Sequence, residues 1–341
     1  ACSPMTDELR LKEAFRQVGI NKYLVETLNI RGEAAWVHPD NKAGATAKAK
    51  ELLRAAAARV FSLKPLTEKR LAVEQQALVV GGGVAGLTAA LNLAKQGIHA
   101  YLIENGKELG GLARRLHATI EGVKVGDYLE TLIQEVISHP KLEVLTDTEI
   151  VGHLGTKGNF LTTVASGAAR QERALKSGAI ILATGAREYR PTEHLYGRDP
   201  QVMTQLELAE RLQAEPQMAA GWERVIMIQC VGSRNAQNPN CSRICCQSAV
   251  KHALQLKDKA PGLDVVIFHR DVRMYGLLED YYIEARDKKI LFERFDPASP
   301  PQVENTGGKL QVVFRDNILE RDIRWPVDAV ILSAAVVAAD T

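Results

Sequence analysis

The stretch "ALVVGGGVAGLTAALNLAKQGIHAYLIE", residues 77–104, decides the fold of this 341-residue chain. A short apolar run reads as a strand and leads into Gly81-Gly82-Gly83-Val84-Ala85-Gly86. Apolar positions at helical spacing follow, and then a second strand that ends on Glu104. A G-x-G-x-x-G pattern between strand and helix, with an acid eighteen residues past its last glycine, marks a dinucleotide-binding β-α-β unit. Gly81 permits the tight turn, Gly83 lets the backbone approach a pyrophosphate, and Gly86 lets helix and strand pack closely. The helix N-terminus favours the phosphate charge. Glu104 can accept from a ribose hydroxyl but would repel a ribose 2′-phosphate, which disfavours NADP in this unit.

Outward from this unit, the chain has three further parts. Residues 6–62 read as helical, since "ELRLKEAFRQV" and "NKAGATAKAKELLRAAAARVFSL" space their apolar residues three and four apart. The proline and charges of "SLKPLTEKRLAVEQQ" place a boundary near residue 74. Downstream come a helix, "GDYLETLIQEVISH", strands in "LEVLTDTEIVGHLG" and "NFLTTVAS" joined across "TKG", and a buried strand, "GAIILATGA". Near residue 222 the pattern restarts, with strand "RVIMIQC", helix "CSRICCQSAVKHALQLKDK" and strand "DVVIFHRD". The expected fold is therefore α/β, with two Rossmann-like lobes in tandem. A helical arm spans 1–74, a dinucleotide-binding lobe 75–200 and a second lobe 201–320, and residues 321–341 return toward the first lobe.

With 46% apolar and 25% charged residues, the composition is that of a soluble globular protein. A net charge of +2, spread along the chain, gives no pull toward nucleic acid or an anionic membrane. No run approaches eighteen apolar residues, and the opening "ACSPMTDELRLKEAF" lacks a basic flank before an apolar core. The expected location is cytoplasmic.

Four of the five cysteines lie between Cys230 and Cys246 in the spacing C-x10-C-x3-C-C. In a reducing compartment such a cluster points to a metal or redox site rather than a disulfide framework. It follows strand "RVIMIQ", where a second nucleotide-binding lobe would carry its glycine-rich loop, and no G-x-G-x-x-G is present there. Cys230, Cys241, Cys245 and Cys246 match the ligand number of a [4Fe–4S] cluster. Adjacent cysteines suit one tetrahedral zinc poorly, because neighbouring side chains point apart. Two other readings stay open: a dithiol at a helix N-terminus, which lowers thiol pKa, and inert buried thiols. His252 and His269 stand in no metal-ligand spacing and read as structural.

"ENGKELGGLARR" and "ILATGA" resemble the glutathione-reductase-like flavoproteins, the type that also includes thioredoxin reductase. The resemblance implies FAD rather than NAD in the first lobe. It implies contacts from Gly81, Gly83, Val84, Ala85, Gly86, Glu104, Asn105, Gly110, Gly111, Leu112, Arg115, Ile150, Thr184 and Gly185.

"IQCVGSR", "CSRICC", "FHRDVRMYG" and "EDYYIEARDKKILFERF", with the N-terminal "CSPM" and "NKYLVETLNIR...WVH", resemble the flavin-bearing A-type component of heterodisulfide reductase over nearly the whole chain. This resemblance implies a cluster on Cys230, Cys241, Cys245 and Cys246. It also implies Lys251 near the reactive flavin nitrogen, a homodimer, and partner subunits of the B and C type.

The chain departs from that family in having Ala34 and Ala35 where a cysteine is expected, and it has no C-x2-C-x2-C-x3-C-P run. A second N-terminal cluster and ferredoxin modules are therefore not expected, Cys2 is expected to be unliganded, and electron bifurcation is disfavoured. The short form resembles the heterodisulfide-reductase-like A-type components of sulfur-oxidising bacteria, which implies a link to lipoate-binding proteins. The expected function is electron relay between flavin, cluster and partner subunits. A self-contained disulfide reductase using Cys245 and Cys246, or a non-catalytic assembly component, are the alternatives.

Overall fold

The computed structural model describes residues 4–316 and 318–339. It divides into two units, the first ending at Leu71 and the second beginning at Ala72. The first unit holds α1 (Pro4–Gln17), a 3-10 turn at Lys22–Leu24, a π-helical turn at Arg31–Ala35 and α2 (Lys42–Val60). Asn21 and Asn41 cap two of these segments by accepting from the backbone N–H groups of Tyr23 and Gly44. Alanine-rich sequence explains the long α2, because alanine loses no side-chain entropy in a helix. Among the described residues of this unit Ala34 is the one buried apolar side chain, while Trp36 and Phe61 are 69% and 93% exposed. Bonds between distant parts of the arm, such as Asn21 Nδ2 to the Leu66 oxygen at 2.9 Å and Arg59 to Glu26 at 2.9 Å, add to its helical and capping bonds, and its described residues form no apolar core.

The second unit begins with β1 (Gln76–Val80), α3 (Val84–Lys95), β2 (His99–Ile103), α4 (Val125–Ser138) and β3 (Leu142–Leu145). A hairpin and a third strand follow as β4 (Thr148–Thr156), β5 (Asn159–Ser166) and β6 (Gln171–Ser177), and then β7 (Ala179–Leu182). β3-β2-β1-β7 form a parallel sheet, and β4-β5-β6 form an antiparallel one. Side-chain alternation along β1 sends Val79 to a core with α3 and α4, and Leu78 to a core with Val164 and Leu175 of the antiparallel sheet.

The chain then passes through β8 (Ala186–Glu188), β9 (Val202–Thr204), α5 (Gln205–Ala214), β10 (Arg224–Val231), α6 (Cys245–Lys259), β11 (Asp264–His269), α7 (Glu279–Asp287) and β12 (Leu291–Arg294). β13 (Gln302–Thr306), β14 (Lys309–Asp316), β15 (Arg321–Pro326), β16 (Ala329–Ala334) and β17 (Val336–Ala338) complete it. β12-β11-β10-β16-β9 form a second parallel sheet, and β13-β14-β15 a second antiparallel one. The layering repeats: Met227 and Ile267 face the helices, while Ile226 and Phe268 face Phe314 across the antiparallel sheet. The tandem α/β plan is thus present.

Two expectations are revised. Residues 321–341 do not simply return to the first lobe: β15 completes the second antiparallel sheet, and β16 lies between β10 and β9 in the parallel one. β16 is fully buried, so its apolar side chains need that central place. Only β17 pairs toward the first lobe's side, with β8. Also, β7 is an edge strand rather than a buried one, and Leu182 is 74% exposed.

Candidate functional site

At the carboxyl end of β1 the chain turns sharply through Gly81, whose φ of 109° is left-handed. A Cβ there would lie 2.3 Å from the carbonyl oxygen of Ala183, where the chain leaves β7. A Cβ on Gly86 would lie 1.8 Å from the Gly81 oxygen, so only glycine lets α3 sit so close to the turn. Gly83 is different: nothing stands within 4 Å of its would-be Cβ. It opens α3 at φ −73°, ψ 177°, with no side-chain cap, so the first helical N–H groups face open space.

The other first-lobe candidates gather on this turn. The Gly110 N–H donates to the Gly82 oxygen at 2.7 Å, and a Cβ on Gly111 would reach 3.3 Å from the Gly83 Cα. The Glu104 carboxylate accepts from the Gly82 N–H at 2.6 Å and the Gly106 N–H at 2.7 Å. Those two bonds leave it lone pairs for a ribose hydroxyl. Val84 and Ala85 begin α3, and Ala85, Asn105, Leu112, Thr184 and Gly185 are exposed around the turn. Ile150 lies on β4 just beyond Thr148, whose N–H donates to the Glu104 oxygen at 3.0 Å, and is 42% exposed. Arg115, at the end of the 3-10 turn Gly111–Arg115, is ion-paired. Its guanidinium grips Glu210 of α5 through Nε at 2.5 Å and Nη2 at 3.2 Å, so a side chain 95 positions along, with no local sequence signal, takes the fork expected to face a ligand.

The cysteines stand at the carboxyl edge of the second sheet. Cys230 is the last residue but one of β10, at a register shift between Ile228 and Val231, and has φ 63°. A left-handed non-glycine residue is strained by about 1 kcal/mol. Arg234 and Arg243, in the same loop, share that conformation. The Cys230 thiol lies 4.0 Å from Arg234 Nη1, and the Cys241 sulfur accepts from the Arg243 N–H at 3.3 Å. Cys245 and Cys246 open α6 and donate to the oxygens of Ala334 at 3.6 Å and Asp271 at 3.9 Å. All four are free. Burial pushes the Cys230 and Cys246 thiols up, and that of Cys245 up to about 12, with the charges of neighbouring cysteines adding to the rise at Cys245 and Cys246. The four thus share one neighbourhood, although among the described residues no three His, Cys, Asp or Glu side chains are close enough to hold a single metal ion. Cys2 lies outside the described residues.

Lys251, two turns into α6, donates to the Ala118 oxygen of the first lobe at 3.1 Å, and burial lowers its pKa. His252 is buried, with Nδ1 2.6 Å from the Gln205 Oε1, and burial holds its pKa well down. Its place is structural. His269 lines a small void with Gln229 and Cys246, and its Nδ1 and both Gln229 amide atoms are buried without a partner. The second turn is closed by a contact that the local pattern does not carry. Gly232 has φ 72°, and a Cβ there would lie 2.2 Å from the Tyr189 ring. The Tyr189 ring therefore packs against the Gly232 backbone just beyond β10.

The family described as pyridine nucleotide-disulphide oxidoreductase matches residues 75–228. The A-type component of the ferredoxin:CoB-CoM heterodisulfide reductase of Methanosarcina acetivorans is 30% identical, over 99% of this chain and 57% of its own length. The corresponding component of the H(2):CoB-CoM heterodisulfide,ferredoxin reductase of Methanothermobacter marburgensis is also 30% identical, over 99% of this chain and 65% of its own length. The chain therefore spans between about half and two thirds of these relatives. The first alignment runs over 461 positions, more than this chain has, so that relative carries segments without counterpart here. Among solved structures, Lactococcus lactis thioredoxin reductase superposes with a TM-score of 0.51 at 18% identity, over 77% of this chain and 78% of that one, which shows the shared fold. No described helix is long and apolar enough to cross a membrane.

Proposed function

We propose, on the premise that this chain is a homologue of the A-type components of heterodisulfide reductase, that it is an FAD- and [4Fe–4S]-bearing electron-transfer component of a heterodisulfide-reductase-like complex. The observation that carries the proposal is the exchange made at the second lobe. Tyr189 closes the turn that would seat a nicotinamide nucleotide, and four cysteines are gathered beside it.

FAD fits the first lobe, because the open face of Gly83, the uncapped start of α3 and the Glu104 carboxylate form a cradle of the right chemistry. When bound, the flavin supplies exchange of electrons in pairs or singly. Gly81 and Gly86 hold the turn close, Gly110 and Gly111 bring a second backbone segment against it, and Asn105, Leu112, Ile150, Thr184 and Gly185 line its rim. Lys251 reaches across to the first lobe and would place a cation there, favouring a reduced, anionic flavin. Cys230, Cys241, Cys245 and Cys246 supply four thiols, the donor set of a [4Fe–4S] cluster.

The setting we propose is cytoplasmic sulfur oxidation or thiol–disulfide metabolism, with a homodimer of this chain working with B- and C-type subunits and a lipoate-binding protein. The exposed apolar residues of the arm are consistent with assembly.

Anaerobic purification with a visible spectrum and iron and acid-labile sulfide assays tests the proposal. About four irons per chain are expected, with flavin, and Cys245→Ser is expected to lose iron while keeping flavin and secondary structure. Flavin without iron or sulfide, after cluster loading, would sink the cluster assignment.

A further inference from the structure

Beside the cysteine loop, the second lobe has a solvent-open pocket of about 430 Å³ that the electron-transfer reading does not use. Its cations come from three neighbouring parallel strands. Arg234 follows β10, Arg270 follows β11, and Arg294 is the last residue of β12. The carboxyl edge of a parallel sheet is where α/β folds bind ligands.

Arg270 donates to the Arg234 oxygen at 2.5 Å, and its guanidinium lies 6.0 Å from the centroid of the Phe295 ring. The Arg270 Nε is buried without a partner. The one carboxylate in the pocket wall, Asp271, is taken by Arg234 at 2.5 Å and by Arg273 at 3.4 Å. Arg270 and Arg294 have no carboxylate partner among the described residues. The pocket is therefore a preformed concave site with surplus positive charge.

We propose that this pocket binds a small phosphate-bearing molecule through its phosphoryl group. A phosphoryl group presents three oxygens, which the Arg294 guanidinium and the N–H groups that Arg270 and Arg234 keep beyond their bonds to the Arg234 oxygen and to Asp271 can engage together, whereas a carboxylate offers two in one plane. A whole dinucleotide is not the ligand, because the turn that would seat its pyrophosphate carries the Tyr189 ring on Gly232. Phe295 is 8% exposed and packs against Arg270, so no open aromatic face is available to select a base. Recognition thus stops at the phosphate, and free phosphate and a phosphate ester are held alike.

The test is calorimetric titration of the full chain at low ionic strength with inorganic phosphate, AMP, acetate and NADPH. Phosphate and AMP are expected to bind with similar affinity, weakened about tenfold by Arg294→Gln, partly restored by Arg294→Lys, and unaffected by Arg170→Gln in the first lobe. Arg294 is an exposed strand end, so its replacement leaves the fold intact, and Arg270→Gln provides a second loss. No binding of millimolar phosphate, binding that survives both glutamine substitutions, or acetate held as tightly as phosphate overturns the proposal. So does AMP bound far more tightly than phosphate, which would mean base recognition, or NADPH bound more tightly than AMP, which would restore a dinucleotide site.

Discussion

Gly86→Ala and Gly83→Ala differ by one methyl each and are expected to fail in opposite ways. At position 86 the new Cβ would meet the Gly81 backbone oxygen at 1.8 Å, so α3 and the turn must part by roughly 1.6 Å to reach an ordinary 3.4 Å contact. Backbone cannot relieve this by a rotamer change, which puts the cost near the top of the overpacking range, about 3 kcal/mol. Alanine recovers about 1 kcal/mol over glycine within a helix. The net loss of about 2 kcal/mol lowers the melting temperature by about 4–8 °C in a unit of this size.

At position 83 nothing stands within 4 Å, and the backbone, at φ −73°, suits any residue. Alanine is a poorer N-cap than glycine, but it restricts the unfolded chain. The two effects, each below about 1 kcal/mol, oppose one another. The apoprotein should melt within about 2 °C of the parent, yet the methyl stands where a pyrophosphate would approach, so flavin content should fall sharply. Circular dichroism melts of the apoproteins and flavin absorbance after purification read both. Equal melting losses for the two variants, or full flavin in Gly83→Ala, would refute the division of labour between these glycines.

Burial keeps His252 neutral in the fold, while the unfolded chain takes a proton as pH falls below 6.5. The unfolded state then binds more protons, so stability should fall with decreasing pH by up to about 1.4 kcal/mol per unit from this group. Urea unfolding at pH 5.5 and 7.5 should show a smaller difference in His252→Gln than in the parent, and an unchanged difference would mean that the imidazole is not held neutral. Arg115→Ala removes a guanidinium paired with Glu210, both side chains being about 40% exposed. It should cost no more than about 1 kcal/mol and leave flavin content unchanged. Flavin loss at normal stability would instead return Arg115 to the ligand.

The first lobe was legible because its instructions are local. A strand of apolar residues, three spaced glycines and an acid at the next strand's end specify a turn whose hydrogen-bonded partners, Glu104 and Gly110, lie within thirty residues, and the structure builds it from Gly81, Gly83, Gly86 and Glu104. The clustering of four cysteines from the end of β10 into α6 was equally plain, since spacing alone brings a strand end, a loop and a helix start together.

Partners distant in sequence leave no such pattern. Arg115 looked available until α5 brought Glu210 to it, and nothing near Gly232 in the sequence announced that the chain between the lobes lays Tyr189 against it. β16 reads as one more apolar strand, and only the burial of all its side chains sends it between β10 and β9. Periodicity records which face of an element is apolar, and so the sequence by itself determined the two-lobed α/β plan, the glycine turn at the end of β1 and the grouping of four cysteines in one segment. Which element covers that face, and which charge meets which, depends on long-range packing, so only the tertiary structure decided that the Tyr189 ring packs on Gly232 and that Arg234, Arg270 and Arg294 line one pocket.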